Sequence, residues 1–541
     1  MATFGDAFAA LDTHVKRLMD FYRTPGLVLA VTDRAAPIKV SAYGLADIDA
    51  KEPVTPDTLF EIGSIGKTFT AIAMMRAHEA GLVDLNAPVT EYLRWFKVRT
   101  GFEPITLHHL LTHTAGLIEG TDFAPDGKAE VRGLREIEAG FAPGAHYYYS
   151  NVGYKILGYV LASVTGKSYG EILTEGILEP AGMERTEPEI LNRIRPRLAR
   201  GYRHLYDDRP PHSSHPLVPA AWLETDTGDG SIASTAEDMA AFARLLLNRG
   251  RVEGGAVLSE KSYGLLTSRL AHERDEWYYG YGIIAYRENG VEYLAHGGDM
   301  PGYEASLWCD SDSGLGVVVL MTTPGVRGLA FPALQLVAAA AKGESLPELP
   351  VPPDPARVEN ATDYEGTYTC GDRSIKLAAR GGSLVLETGG RDVALESRGP
   401  DRFYVNDLGF DIYLLSFGRK GGNGAVTEAI YGPDIYLRSG TAAERAPEPD
   451  AAFPAEWEPY PGHYRSHDPW LTNFRVILRR GRLVIVDPAG NEEPLHPLED
   501  GRFRVGEEEF SPERIGFDQI VDGKALRANR SGCHFYRFFT P

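Results

Sequence analysis

The chain changes its hydrophobic rhythm well past its midpoint. Before about residue 343, apolar positions at helical spacing predict helices over 5–22, 65–80, 152–165, 235–249 and 330–342. Between them, Leu27-Val28-Leu29-Ala30-Val31, Ile38-Lys39-Val40 and Leu59-Phe60-Glu61-Ile62 predict strands, and Gly316-Val317-Val318-Val319-Leu320 a buried one. From Glu344 to Asp354 the sequence is ESLPELPVPPD, whose four prolines remove amide donors and stiffen the chain as interdomain linkers do. Beyond it the helical pattern fades. Short alternating runs broken by Gly, Asp and Asn predict antiparallel β modules.

The β region repeats itself. Tyr364-Glu365-Gly366-Thr367-Tyr368 is echoed by Tyr460-Pro461-Gly462-His463-Tyr464, Leu384-Val385-Leu386 by Leu483-Val484-Ile485, and Asp401-Arg402-Phe403 by Gly501-Arg502-Phe503. Each copy is about 90 residues, enough for one small barrel. A second linker, 444–459, separates them. The expected class is α+β: a mixed domain over 1–343, then β-barrel modules at 356–444 and 456–541.

Composition narrows the function. With 75 acidic and 55 basic residues the formal charge is −20, which disfavours nucleic acid and anionic membranes as partners. The first thirty residues carry Asp6, Asp12, Lys16, Arg17 and Asp20 without an apolar signal-peptide core, and no later run is long enough to span a bilayer. Cys309, Cys370 and Cys533 are scattered, without zinc spacing, as in a reducing compartment. A cytoplasmic location is therefore expected, and homo-oligomerisation is left open.

Three segments carry candidate chemistry. Ser64-Ile65-Gly66-Lys67 follows a predicted strand and opens a helix apolar on most faces, hence buried. That places the Ser64 hydroxyl at a helix N-terminus, where unpaired amides favour negative charge. Lys67, three residues on, shares its face and is suited to act as its base. Tyr149-Ser150-Asn151 lies in a loop before the helix starting at Val152 and offers a phenol for proton relay and an amide for orientation. His296-Gly297-Gly298-Asp299 follows the strand pattern 291–295; two glycines let the backbone approach a substrate and offer an amide to an oxyanion.

Other signals read as structural. Gly166-Lys167-Ser168-Tyr169-Gly170 matches the G-x-S-x-G nucleophile elbow, but the preceding residues are helical, so Gly166 is a helix end and Ser168 with Glu171 a capping box. His204, His212 and His215, with Asp207 and Asp208 among them, match no metal-ligand spacing and suggest a solvated loop. Gly228-Asp229-Gly230 lacks the remaining features of a nucleotide loop. No metal or cofactor is expected.

In this order and context the three segments resemble the serine β-lactamase and penicillin-binding protein family, particularly its class C, esterase and D-aminopeptidase branch. There S-x-x-K, Y-x-N and K-T-G or H-x-G correspond to Ser64 and Lys67, Tyr149 and Asn151, and His296 with Gly298. Supporting segments are Pro25-Gly26, Asp57-Thr58-Leu59-Phe60, 110–117 (LLTHTAGL) and Ser234-Thr235-Ala236-Glu237-Asp238. The resemblance covers about 10–343. It implies an antiparallel sheet flanked by helices, catalysis by Ser64, Lys67, Tyr149 and His296, and orientation of the substrate by Asn151, Gly297, Gly298 and Asp299. The oxyanion amides would be those of Ser64 and Asp299, although the residue after the glycines is usually small. The implied activity is hydrolysis of an amide through an acyl-enzyme on Ser64, acting on a small peptide or ester. Short or D-residue-containing peptides are the preferred substrates, as for a D-aminopeptidase or a peptidase of linearised non-ribosomal peptides such as microcystin. A carboxylesterase or broad amidase is the alternative, and a non-catalytic penicillin-binding sensor the reading from another class.

Overall fold

The computed structural model describes residues 2–120, 124, 126–326, 328–422, 424–440 and 453–538. They form two compact units. One comprises Met1–Arg203, Leu217–Val351 and Phe510–Pro512; the other His204–Pro216, Pro352–Glu509 and Glu513–Pro541. Among the described residues, no helix is long and apolar enough to cross a membrane.

The first unit is built on one antiparallel sheet. Its strands, in chain order, are β1 (Gly26–Thr32), β2 (Pro37–Asp47), β3 (Glu52–Pro53), β4 (Ala271–Arg274), β5 (Trp277–Tyr279), β6 (Ile284–Glu288), β7 (Val291–Met300), β8 (Tyr303–Asp310) and β9 (Leu315–Thr322). They lie side by side in the order β4-β5-β6-β7-β8-β9-β1-β2-β3, so the sheet's first and last strands in sequence pair within it, Leu27 opposite Met321. Leu27, Leu29 and Val31 point to one face and Val28 and Ala30 to the other; both faces are covered. Burial on two sides is why β1 and β9 read as unbroken apolar runs and not as alternation.

Helices α1 (Phe4–Tyr22) and α5 (Ala330–Ala341) cover one face, Leu11 and Val15 packing with Val317, Val319 and Val337. The other face meets a larger core built around α2 (Gly66–Glu79), α3 (Asn151–Thr165) and α4 (Ala236–Leu247), where Phe69 stacks on Phe242 at 3.9 Å. Helix α2 is buried from Gly66 to Met75, as its all-round apolar pattern predicts. Gly166 ends α3 with φ 72°, and Ser168 and Glu171 form a capping box on the following helix Tyr169–Leu173. The G-x-S-x-G segment is thus a helix-to-helix corner.

In the second unit, two closed antiparallel barrels of eight strands run over Gly366–Arg438 and Gly462–Phe538. The internal echo has a structural meaning. Tyr368 donates to Tyr364 O at 2.8 Å and Tyr464 to Tyr460 O at 2.6 Å, each hydroxyl tying the first strand to the residue four before it. Arg438 and Arg537 lie over these rings, 5.9 and 5.2 Å from the centroids. Of the expected linker 444–459, residues 444–452 lie outside the described residues.

One expectation is overturned here. His212 and His215 do not sit in a solvated loop; both are buried within the second unit. His212 Nε2 lies 2.8 Å from Glu396 Oε1, its ring stacks on Tyr404 at 5.0 Å, and His215 Nε2 lies 3.2 Å from the Tyr404 hydroxyl. Asp207 receives hydrogen bonds from Arg465 (2.7 Å) and Asn473 (2.8 Å), and Arg209 pairs with Asp411 (2.5 Å). Polar spacing suggested water as the partner; long-range partners on the barrels replace it.

Candidate active site

A short strand and a constrained turn deliver Ser64. Phe60 pairs with Ser234 and Glu61 with Ala233, after which Gly63 takes φ 50°, a region glycine reaches without a Cβ clash. A Cβ on Gly63 would lie 2.4 Å from Asp299 O and 2.7 Å from Asp299 N, so close approach also demands glycine. Gly63–Ile65 make one 3-10 turn and α2 starts at Gly66. Ser64 therefore opens a buried helix, as its motif predicts.

The third segment departs from the expectation. His296 to Asp299 do not follow a strand; they lie inside β7, which pairs with β8 out to Met300 opposite Tyr303. Gly298 is there for proximity and not for a turn: a Cβ on it would sit 1.9 Å from Ile62 O and 3.2 Å from Ser64 N. Gly297 faces open space, with Ala305 O the nearest atom, 4.0 Å from such a Cβ. The backbones of Ser64 and Asp299 are thereby brought together across two glycines.

Lys67 is fully buried, and its Nζ lies 2.9 Å from Ser64 Oγ while donating to Asn151 Oδ1 (2.7 Å) and Asp229 O (2.8 Å). Asn151 Nδ2 donates to Gly120 O at 3.4 Å, which turns Oδ1 toward the lysine. Tyr149 is hydrogen-bonded with Ser64, and its ring centroid lies 4.9 Å from Lys67 Nζ. Burial holds the Tyr149 phenol well above its ordinary range against the opposing hydrogen bond with Ser64, with Glu119, Asp229 and Asp299 adding to the rise. The phenol is therefore protonated at rest.

Ser150 holds this second segment in place. Its hydroxyl caps α3, accepting from Gly153 N at 3.1 Å, and donates to Ile118 O at 2.7 Å. Its amide donates to His113 Nδ1 at 3.0 Å. His113 sits under the Tyr149 ring at 4.3 Å with φ 58°; burial, then the charges of Lys67 and His296, lowers its pKa well below that of an ordinary imidazole.

His296 is buried, and both its ring nitrogens are engaged: Nδ1 donates to Gly297 O at 2.6 Å and Nε2 accepts from the Tyr279 hydroxyl at 2.8 Å. Burial lowers its pKa to about 4, Lys67 assisting and the Gly297 carbonyl opposing. It is a neutral imidazole at pH 7.

The structure thus gathers Ser64, Lys67, Tyr149 and Asn151 around one amine, sets Gly298 and Asp299 beside the Ser64 backbone, and joins His296 to Tyr279. Sequence reasoning missed Asp229, His113 and Tyr279. A signal existed for the first: Gly228 packs against Tyr154 O and Gly230 against Gly63, so the Gly-Asp-Gly run marks close backbone approach that brings Asp229 O to Lys67. For Tyr279 no local pattern points to the site.

Comparison with known proteins places this geometry. Residues 11–342 match the family model described as Beta-lactamase. Penicillin-binding protein 4 of Amycolatopsis lactamdurans is 29% identical over 381 residues, covering 66% of this chain and 97% of that protein. A D-aminopeptidase of Gluconobacter oxydans (strain 621H) is 26% identical over 388 residues, 69% of this chain and 68% of its own. Among solved structures, the octameric penicillin-binding protein homologue from Pyrococcus abyssi shares the fold, with TM-score 0.58 and 23% identity over 80% of this chain and 100% of that one.

Proposed function

This chain belongs to the Beta-lactamase family, and from that premise we propose that it is a serine peptidase or amidase of the S-x-x-K type, acting on short or D-residue-containing peptides through an acyl-enzyme on Ser64. One observation carries the assignment. Asn151 Oδ1 and Asp229 O are acceptors only, so in the neutral amine they take the two N–H groups of Lys67 and leave its lone pair for Ser64 Oγ, a hydroxyl that can donate as well as accept. Transfer of the serine proton to Lys67 then needs no side chain to move.

The sequence of events follows from this. Ser64 Oγ attacks the carbonyl carbon as its proton passes to Lys67 Nζ; the oxyanion is held by the amides of Ser64 and Asp299. Collapse breaks the carbon–nitrogen bond, the leaving amine taking a proton through the Tyr149 hydroxyl, and water releases the acyl group by the reverse relay. Neutral His296 offers no fixed positive charge to a substrate carboxylate. That supports aminoacyl amides and peptides entered from the amino end, in keeping with the D-aminopeptidase relative. Acyl esters of the same shape meet the same machinery.

A fluorophosphonate probe is expected on Ser64 and not on Ser168, and Ser64→Ala and Lys67→Ala are each expected to lower turnover by at least ~10³-fold. Peptide mapping that finds the probe on Ser168 overturns the assignment. Labelling without turnover on any aminoacyl amide, peptide or ester would make the chain a sensor instead.

A further inference from the structure

We propose that the first unit holds a second ligand site, for a small zwitterion of the amino acid or dipeptide class, in the cavity lined by Glu61, Arg195, Trp222 and Tyr303. The cavity has a volume of about 680 Å³, within the range of small-molecule sites. Its walls come from the segment leading into Ser64, from the stretch between Asn192 and Gly201, from Pro219 to Trp222, and from Pro301 and Tyr303. Ser64, Lys67, Tyr149, Asn151 and His296 do not line it.

Glu61 is the reason to expect a ligand. It is 3% exposed, and among the described residues its carboxyl has no hydrogen-bonding or ion-pairing side chain. Burial alone pushes its pKa up to about 8. A buried carboxyl without a partner is costly unless something satisfies it. The neighbouring Glu187 receives Arg197 (2.5 Å), and Asp47 receives Arg200 (3.2 Å). An ammonium group entering the cavity would supply the missing partner, Glu61 releasing its proton to solvent as the ion pair forms.

The opposite end of the ligand has its own group. Arg197 and Arg200 are committed to carboxylates, whereas the described contact of the Arg195 guanidinium is the face of Trp222, 5.2 Å away. A guanidinium on an indole face keeps its N–H edge available for a carboxylate. Among the described residues, the Trp222 indole N–H is itself buried without an acceptor. Tyr303, whose hydroxyl donates to Ala199 O at 2.6 Å, feels the charges of both Glu61 and Arg195 and lines the same cavity with them. Anion-binding and cation-binding groups lining one cavity select a zwitterion over an ion of either sign.

The test uses the full chain with Ser64 phosphonylated, so that the acyl site is filled, titrated calorimetrically with D- and L-alanylalanine. Saturable binding is expected, weakened at least ~10-fold by Glu61→Gln or Arg195→Ala. On the unaltered chain, N-acetylalanylalanine (no ammonium) and alanylalaninamide (no carboxylate) are expected to bind at least ~10-fold more weakly, which needs no variant to fold. Binding that disappears on phosphonylation, that ignores both substitutions, or that is equal for the singly charged probes overturns the proposal. Repeating the titrations on Ser64→Ala, which needs no phosphonylation, with and without Glu61→Gln or Arg195→Ala makes failure of this site distinguishable from failure of the hydrolase reading.

Discussion

At the scale of single residues, the site separates buried groups by the charge state that burial imposes. His296 has a folded pKa of about 4 against an ordinary 6.5, so the folded chain holds fewer protons between those values. Its contribution to stability is present above pH 6.5 and is lost as pH falls towards 4, on the order of 3 kcal/mol for this imidazole. Thermal melts across this window should show an acid limb that His296→Gln partly flattens, the rest remaining with His113. The same neutrality predicts that benzylpenicillin, which carries a carboxylate, is hydrolysed far more slowly than the best aminoacyl amide; comparable rates in a direct assay would contradict it. Glu61 runs the other way. Its folded pKa of about 8 lies above the ordinary 4.5, so its contribution is complete below 4.5 and is lost as pH rises through 8. Glu61→Gln, already neutral, should make stability less dependent on pH between those values when melts are compared.

At the scale of elements, glycine placement decides whether β7 and the Ser64 turn can touch. A Cβ at Gly298 would sit 1.9 Å from Ile62 O, whereas one at Gly297 would meet its nearest atom at 4.0 Å. Gly298→Ala should therefore lower both turnover and the rate of fluorophosphonate labelling by ~10²-fold or more, the usual consequence of ångström misplacement. Gly297→Ala should leave the labelling rate within ~3-fold, as surface substitutions away from special backbone generally do. Equal sensitivity of the two would mean that the approach of these backbones is not what matters. Helix α3 offers a second case. Ser150 caps it through Gly153 N and ties it to Ile118 O, so Ser150→Ala should cost ~1–2 kcal/mol in denaturant unfolding and loosen Asn151, the next residue, from Lys67. Ser150→Thr, which keeps the oxygen, should recover most of both.

For the whole molecule, the second unit is continuous in space but not in sequence. Residues 204–216 belong with the barrels, where Asp207, Arg209 and His212 meet Arg465, Asp411 and Glu396. A fragment of residues 352–541 would leave those barrel groups without their opposite numbers. It should melt at a lower temperature alone than with a synthetic 204–216 peptide, the gain rising with peptide concentration in differential scanning calorimetry. A melting temperature indifferent to the peptide would show that the barrels are complete without it. Closure of each barrel removes exposed strand edges, so the fragment is expected to stay soluble in both conditions.

What the sequence determined by itself is everything that depends on near neighbours along the chain. Lys67 faces Ser64 because residues three apart share a helix face; Ser168 caps a helix because Glu171 lies three residues on; both barrels are legible because Tyr364–Tyr368 and Tyr460–Tyr464 repeat one local contact. The all-round apolar pattern of α2 likewise announced its burial. Tertiary structure alone decided what crosses the chain. Asp229 reaches Lys67 through a backbone carbonyl, a group that residue type does not mark, and Tyr279 meets His296 only because β5 and β7 lie in one sheet. His212 is a polar residue whose spacing suggests solvent and Glu61 one within a predicted strand, yet packing buries the first against Glu396 and leaves the second facing a cavity. Periodicity records which face of an element turns inward; it does not record which distant atom waits there, and that atom sets the protonation and the chemistry of the buried group.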